Sequence, residues 1–280
     1  MPSDAEWSRA GLRRVDTPHA QGTALDLGAT VLSWQPAGQD EVFFVSRAAQ
    51  VGPGLELHGG VPVCAPWFGR GRPGIDVPHP HGLVRWLPWR LVSAGHDELI
   101  WEVTGDELTH IPGADRYPSD MIFQLRAIFA TQLRIELTVI SPTTGFILDE
   151  ALHAYFRVSD LTSCQLLGLE LAVFRDFAAS GEPQVAGEPL RIRGRMDRVY
   201  ASGGPVVLLD GERRVELLAS GADSTVVWNP GPGPQLAGLA PDEWRRMLCI
   251  EVGNVQDRAV WVPAGGSHRL GLLIRVSAGR

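Results

Sequence analysis

The chain has 280 residues, 44% of them hydrophobic, and carries a formal net charge of −7 from 25 basic and 32 acidic side chains. Every basic residue is arginine, which excludes Schiff-base chemistry on a lysine, pyridoxal attachment and a phosphate loop ending in Gly-Lys-Ser/Thr. A chain of this size and apolar content buries about three quarters of its unfolded surface, so it needs neither metal nor disulfide to fold, and one large or two small domains are expected.

The acidic balance and the lack of any basic cluster argue against nucleic-acid and membrane-surface partners. The first ten residues are polar and acidic, and no apolar stretch approaches the roughly 18 residues of a membrane span, so a soluble protein without an export signal is expected. Cys64, Cys164 and Cys249 are odd in number, far apart and set in apolar runs. That pattern suits buried thiols in a reducing, cytoplasmic compartment better than a disulfide framework.

In chain order, runs with strand character fall at residues 30–34, 42–45, 99–103, 122–129, 132–139, 151–158, 165–171, 206–209, 214–218, 225–228, 247–252, 259–262 and 269–276. The clearest is 132–139, where Leu133, Ile135, Leu137 and Val139 alternate with Gln132, Arg134, Glu136 and Thr138, the period of a half-buried strand. So many short strands predict an all-β protein, a large sandwich of antiparallel sheets. Helix is scarce. The best candidate covers Pro241 to Leu248, with Pro at the first position, Asp242 and Glu243 in the first turn and Arg245 and Arg246 later, which complements the helix dipole. No internal repeat or linker is visible, so a single catalytic domain over residues 1–280 is expected, with 1–21 as a peripheral segment. Gly/Pro-rich patches at 69–80 and 230–238 read as site-forming loops.

The most distinctive segment is His58-Gly-Gly-Val-Pro-Val-Cys-Ala-Pro-Trp-Phe-Gly69, followed by His81-Gly-Leu-Val-Arg-Trp-Leu-Pro-Trp89. Paired glycines permit tight turns, and Trp, His and Arg together supply a stacking plane and donors, a mixture that suits a sugar with one apolar face and a polar rim. Any single one of Trp67, Trp86 and Trp89 is more readily a core residue. In residues 151–158 alternation puts His153, Tyr155 and Arg157 on one face, opposite Leu152, Ala154, Phe156 and Val158. A lone strand histidine is usually structural, but Glu251, in the apolar run 247–254, is a carboxylate whose burial needs a reason. Asp197, read alone, is a turn residue or an ion-pair partner of Arg195 or Arg198. His79 and His81 lack further ligands at metal-binding spacing, and neither a Gly-x-Ser-x-Gly elbow nor a dinucleotide fingerprint is present. No cofactor or metal is therefore expected.

Taken together, Gly59-Gly-Val-Pro-Val63, Pro66-Trp-Phe-Gly69, His81-Gly-Leu-Val-Arg85, Leu152-His-Ala-Tyr-Phe156, Met196-Asp-Arg-Val-Tyr200, Val227-Trp-Asn-Pro230 and Cys249-Ile-Glu-Val-Gly-Asn-Val255 resemble the glucose-6-phosphate 1-epimerase (hexose-6-phosphate mutarotase) branch of the aldose 1-epimerase family. The match runs from about Gly22 to the C-terminus. It implies a galactose-mutarotase-like β-supersandwich, with His153 at the position of the general acid and Glu251 at that of the general base. Asp197, Arg85 and His81 fall on sugar-contacting positions. Two departures stand out: His58 occupies the place of an arginine usual in the phosphosugar branch, and Gly168-Leu-Glu-Leu171 replaces the usual Gly-Leu-x-Gly.

The implied reaction interconverts α and β anomers by ring opening and closure, with an acid and a base straddling the sugar and no cofactor. On a hexose 6-phosphate, Arg85, with Arg70 or Arg72, would hold the phosphate, since guanidinium forks suit that group. His58 keeps open an unphosphorylated aldose as substrate, with His58 and Trp67 among the sugar contacts. A catalytically silent sugar-binding module and a glycoside hydrolase are the competing classes; the second needs two carboxyl groups flanking a glycosidic bond, which a His/Glu pair does not supply. The expected partner is a small sugar or sugar phosphate, and the expected state is a monomer.

Overall fold

The computed structural model describes residues 1–72, 76–233 and 236–278. Their architecture is two large antiparallel sheets packed face to face, with a three-stranded sheet (Leu12–Asp16, Ala20–Leu25, Thr30–Pro36) and a two-stranded ribbon (Phe146–Leu148, Val260–Val262) at the periphery. The first large sheet has nine strands, in the order Leu190–Arg191, Gln165–Leu167, Val206–Asp210, Arg213–Ser220, Gly266–Ala278, Leu133–Ser141, Ile122–Phe129, Glu98–Thr104, Arg90–Ala94. The second carries the candidate site. Its order is Pro183–Val185, Val173–Asp176, Met196–Tyr200, Ser224–Asn229, Met247–Asn254; Glu150–Leu152 and Tyr155–Arg157 then both pair with Met247–Asn254, and Val63–Cys64 lies outermost beside Glu150–Leu152.

The alternation that predicts the strands also says why the sheets stack. Leu125, Leu137, Leu217 and Leu272 of the nine-stranded sheet meet Leu152, Leu248, Ile250 and Val252 of the other in one buried cluster. The residues between them on the second sheet face away from that core, on a surface where Phe44, Phe68 and Leu239 pack. Only two short α-helices are present among the described residues, Asp4–Arg9 and Gly105–Leu108. The all-β supersandwich expected from the sequence is what the chain forms.

Three local expectations need correction. The segment Pro241 to Leu248 is not an α-helix but a single 3-10 turn, Glu243–Arg246, after which Met247 and Leu248 enter a central strand. The Glu243 carboxylate explains this: it accepts hydrogen bonds from Ser46 Oγ (2.6 Å), Arg47 N (2.9 Å) and Ala240 N (3.0 Å), so tertiary contacts override the helix propensity. Residues 42–45 form isolated bridges, Phe43 to Phe156 and Val45 to Gly59, not a strand. The run 151–158 is two strands interrupted at His153 and Ala154. At the N-terminus, residues 4–16 form a helix and a strand, with Trp7, Ala10 and Leu12 packed against Leu25 and Leu27. The helix begins at a Ser3/Glu6 capping box, a signal present in the sequence. Both Gly/Pro-rich patches pass partly through residues outside the described set.

Candidate active site

The interruption at His153 leaves the pairing frame unchanged. Leu152 is opposite Val252 before it and Tyr155 is opposite Cys249 after it, so His153 lies across from Glu251. The break comes from a change of backbone partners. The N–H of His153 donates to the Pro62 carbonyl and that of Tyr155 to Gly60 (both 2.9 Å), so this segment is bound on its other edge by the His58-to-Pro62 loop. Side chains of one parity then share the face away from the core: His153 and Tyr155, Cys249 and Glu251, Val226 and Trp228, Asp197 and Val199. His153 Nε2 comes within 3.4 Å of Glu251 Oε1.

Loops complete the face. Gly60, at φ +65°, passes so close to the strand Thr30–Pro36 that a Cβ there would lie 2.3 Å from the Val31 carbonyl oxygen. Only glycine fits such a passage, which brings His58 to Tyr155, with Nδ1 3.2 Å from the phenol oxygen. His81 itself adopts φ +63°, an uncommon strained conformation for a non-glycine residue. Its Nδ1 accepts a hydrogen bond from the Gly69 N–H (3.3 Å). The ring proton must then sit on Nε2, making His81 a neutral donor beside His153, with ring centroids 5.3 Å apart. Arg85 lies in the 3-10 turn Val84–Trp86 and is buried; Nη1 and Nη2 have no hydrogen-bond partner, and the nearest carboxylate, Glu56, stands 3.7 Å from Nη1.

Burial dominates the electrostatics. It raises the Glu251 carboxyl well above the usual carboxylate range, with a further push from the neighbouring Asp197 and an opposing pull from Arg85. It lowers the His153 imidazole well below its usual value, with His81, Arg85 and His58 adding to the effect. His81 is lowered to about 3 and His58 is also lowered, in both cases mainly by burial. Asp197 is raised to about 6 by burial and by Asp176. The pair therefore favours the uncharged state, a protonated Glu251 beside a neutral His153. Glu251 Oε2 is buried without a hydrogen-bond partner, and His153 Nδ1 is buried with no partner beyond the backbone of His153 itself.

Of the residues singled out from the sequence, His153, Glu251, His58, His81, Arg85 and Asp197 converge on this face. Asp197 is in the strand Met196–Tyr200, neither a turn residue nor a partner of Arg198, which instead pairs with Asp176 (2.8 Å). Trp67 does not join them. It is buried in the core, stacked at 5.9 Å on Tyr117, and its indole N–H donates to the His79 carbonyl (2.9 Å). Trp86 and Trp89 likewise donate to backbone carbonyls, of Gly82 and Val84. His79 turns to the Pro112 carbonyl, away from any shared ligand with His81. Arg70 is exposed, and Arg72 Nε lies 2.8 Å from Asp149 Oδ2 in a groove with Gln256 and Trp261. The sequence reading missed Glu56, Trp228 and the role of Tyr155. For Tyr155 the signal was its shared strand face with His153, and for Trp228 it was the Val227-Trp-Asn-Pro230 motif; no local pattern marks Glu56.

A model of the aldose 1-epimerase family matches residues 14–275. The chain belongs to the aldose 1-epimerase family. An Escherichia coli K12 protein named "Putative glucose-6-phosphate 1-epimerase" is 32% identical over 254 residues, covering 87% of this chain and 83% of that one. A Salmonella typhimurium protein of the same name is 29% identical over 247 residues, covering 85% and 81%. A crystal structure from Salmonella typhimurium, described as "a putative mutarotase (YeaD)", superposes with a TM-score of 0.85 at 28% identity, over 96% of this chain and 90% of that one. This epimerase thus presents His153 and Glu251 at the centre of a face whose half-buried members are His81, Asp197 and Trp228.

Proposed function

We propose that the protein is a hexose-6-phosphate mutarotase that interconverts the α and β anomers of glucose 6-phosphate, with Glu251 as base and His153 as acid. Glu251 takes the proton of the C1 hydroxyl, the C1–O bond to the ring oxygen breaks as the carbonyl forms, and His153 delivers a proton to the ring oxygen. Rotation about C1–C2 presents the other carbonyl face, and the same proton transfers run backwards to close the ring. The observation that carries this reading is the 3.4 Å approach of His153 Nε2 to Glu251 Oε1. Both reacting oxygens are bonded to C1, so an adjacent acid and base can serve both, where the sequence reading set them astride the sugar. Burial favours the uncharged pair, so ring opening starts from the minor, charged form, a Glu251 carboxylate beside a His153 imidazolium, and leaves the pair uncharged. Neutral His81 is placed to donate Nε2–H to a sugar hydroxyl, and Asp197 to accept from one.

The phosphate reading is supported by the buried Nη atoms of Arg85, which lack hydrogen-bond partners, an arrangement whose desolvation is offset by an anionic ligand. A second reading, the same chemistry on an unphosphorylated aldose, is favoured by His58, which is kept neutral and engaged by Tyr155, and by Glu56 beside Arg85. Rates of anomer exchange for glucose 6-phosphate and glucose, measured by NMR exchange spectroscopy, decide between them; faster exchange of glucose would reject the phosphosugar. Glu251→Gln and His153→Ala are each expected to lower kcat by about 10²- to 10⁴-fold, and near-native rates in both would reject the mechanism. The buried thiols of Cys64, Cys164 and Cys249 support a cytoplasmic setting, and no partner beyond the sugar is needed for a monomer to act.

A further inference from the structure

Tyr155 lies on the reacting face, yet the proton transfers do not use it. Its ring is stacked on the His153 imidazole, with centroids 4.8 Å apart and planes inclined by 9°. Its hydroxyl is 3.2 Å from Nδ1 of His58, and its backbone is clamped between the Gly60 carbonyl and the Phe44 N–H, both at 2.9 Å. Trp228 closes the edge of both rings, 6.4 Å from each. His153 has no second residue of this kind on its other nitrogen: Nδ1 is buried, and the backbone contact that favours its charged form is with His153 itself. Proton-transfer histidines ordinarily have their plane set by a carboxylate or carbonyl on the second nitrogen. Among the described residues, the one ring stacked face to face on the imidazole is the phenol ring of Tyr155.

We propose that Tyr155 is the positioning residue for His153: its ring sets the plane of the imidazole and its π face favours the protonated form, while its hydroxyl anchors the ring to His58. This rests on reading His153 as the acid. The ionisable groups around the imidazole come from four elements. Glu251 and Cys249 are on the strand Met247–Asn254, Asp197 on Met196–Tyr200, His81 and Arg85 on the segment after Val63–Cys64, and His58 and Glu56 on the loop before it. Burial, Arg85 and the two other histidines oppose protonation of His153. An aromatic face is a source of attraction for the imidazolium that adds no buried charge.

The test is anomer exchange across pH, with whichever of glucose 6-phosphate or glucose the protein turns over. Tyr155→Phe keeps the ring and is expected to hold kcat within about threefold, with the low-pH limb of the profile unmoved. Tyr155→Leu removes the ring. Its kcat should fall about tenfold or more with KM within about twofold, and, because His153 gives up its proton before Glu251 does, the limb at which activity is lost with falling pH should move down by about one pH unit. A Tyr155→Leu enzyme with wild-type kcat and limb, or one changed in KM alone, overturns the proposal. If that variant fails to fold, the His153 Cε1–H resonance decides. A ring-current shift upfield in both the wild type and Tyr155→Phe supports the stack, and an unshifted resonance overturns it. Wild-type exchange in His153→Ala would instead remove the acid assignment itself, whereas its abolition with Tyr155→Leu unaffected would remove only the role of Tyr155.

Discussion

Two residues with positive φ carry opposite lessons. His81, at +63°, is held there by the Gly69 N–H and by a Gly82 so close to the Ala65 carbonyl oxygen that a Cβ would lie 1.9 Å away. Strain at that point delivers a neutral Nε2–H donor to the reacting face. Leu171, at +67°, has no such return. It is 81% exposed in the Gly168-Leu-Glu-Leu171 turn, and its side chain contributes little burial to offset the left-handed backbone. A left-handed residue with a Cβ costs about 1–2 kcal/mol, and glycine gives back about 0.5–1 kcal/mol through the unfolded state. Leu171→Gly is therefore expected to stabilise the protein by about 0.5–1 kcal/mol in urea unfolding, without altering exchange activity. A loss of stability would show that the Leu171 side chain has a partner its exposure does not reveal.

At the scale of elements, the strands were legible because their period-2 pattern survives into the buried pattern of the sheets; Leu133–Ser141 alternates buried and less buried residues along its whole length. The central strand Met247–Asn254 is buried on both faces, and there alternation stops distinguishing core from site. Glu251 stood out as a carboxylate where none was expected and through the motif Cys249-Ile-Glu-Val-Gly-Asn-Val255. The converging loops were legible as a set through paired glycines and the family's motifs, but not in detail. Trp67 illustrates the limit: its indole satisfies its donor locally on the His79 carbonyl, a pairing that no spacing in the sequence discloses. The segment Pro241 to Leu248 failed for a related reason, since long-range acceptor contacts at Glu243 decide its form. Glu243→Ala strips hydrogen bonds from the N–H groups of Arg47 and Ala240 and from Ser46 Oγ. A loss of about 2–4 kcal/mol in unfolding free energy is expected; a loss below about 0.5 kcal/mol would mean that the turn is held by packing alone.

Across the whole molecule, burial moves two kinds of ionisable group in opposite senses. Asp149 is raised to about 6 by burial, partly countered by the Gln256 N–H and by Arg72. A carboxyl raised in this way holds its proton more tightly when folded. Its contribution is complete below the ordinary value of 3.8 and is lost as pH climbs through about 6. The lowered histidines act the other way: below their ordinary 6.5 the unfolded chain takes up protons that His58, His81 and His153 refuse, so stability falls as pH drops. Between about pH 4 and 6 these terms oppose one another. Asp149→Asn removes one of the terms that favour low pH, so the gain in stability from pH 4.5 to 6 should exceed that of the wild type by about 1–2 kcal/mol, as read from urea unfolding at both values. Equal gains in the two proteins would show that Asp149 stays ionised throughout that range when folded.

The unbroken pairing frame on either side of His153 has an evolutionary corollary. Substitutions between Glu150 and Arg157 change one contact each, and their effects can be graded. A single inserted or deleted residue between Leu152 and Tyr155 would leave both flanking strands able to pair only after a slip, and a slip of one turns every side chain to the opposite face. His153 or Tyr155 would then point into the apolar layer where Leu152 and Phe156 now sit. Length variation among descendants of this chain should therefore collect in the surface loops and be purged from these eight positions, whatever sugar each descendant comes to use.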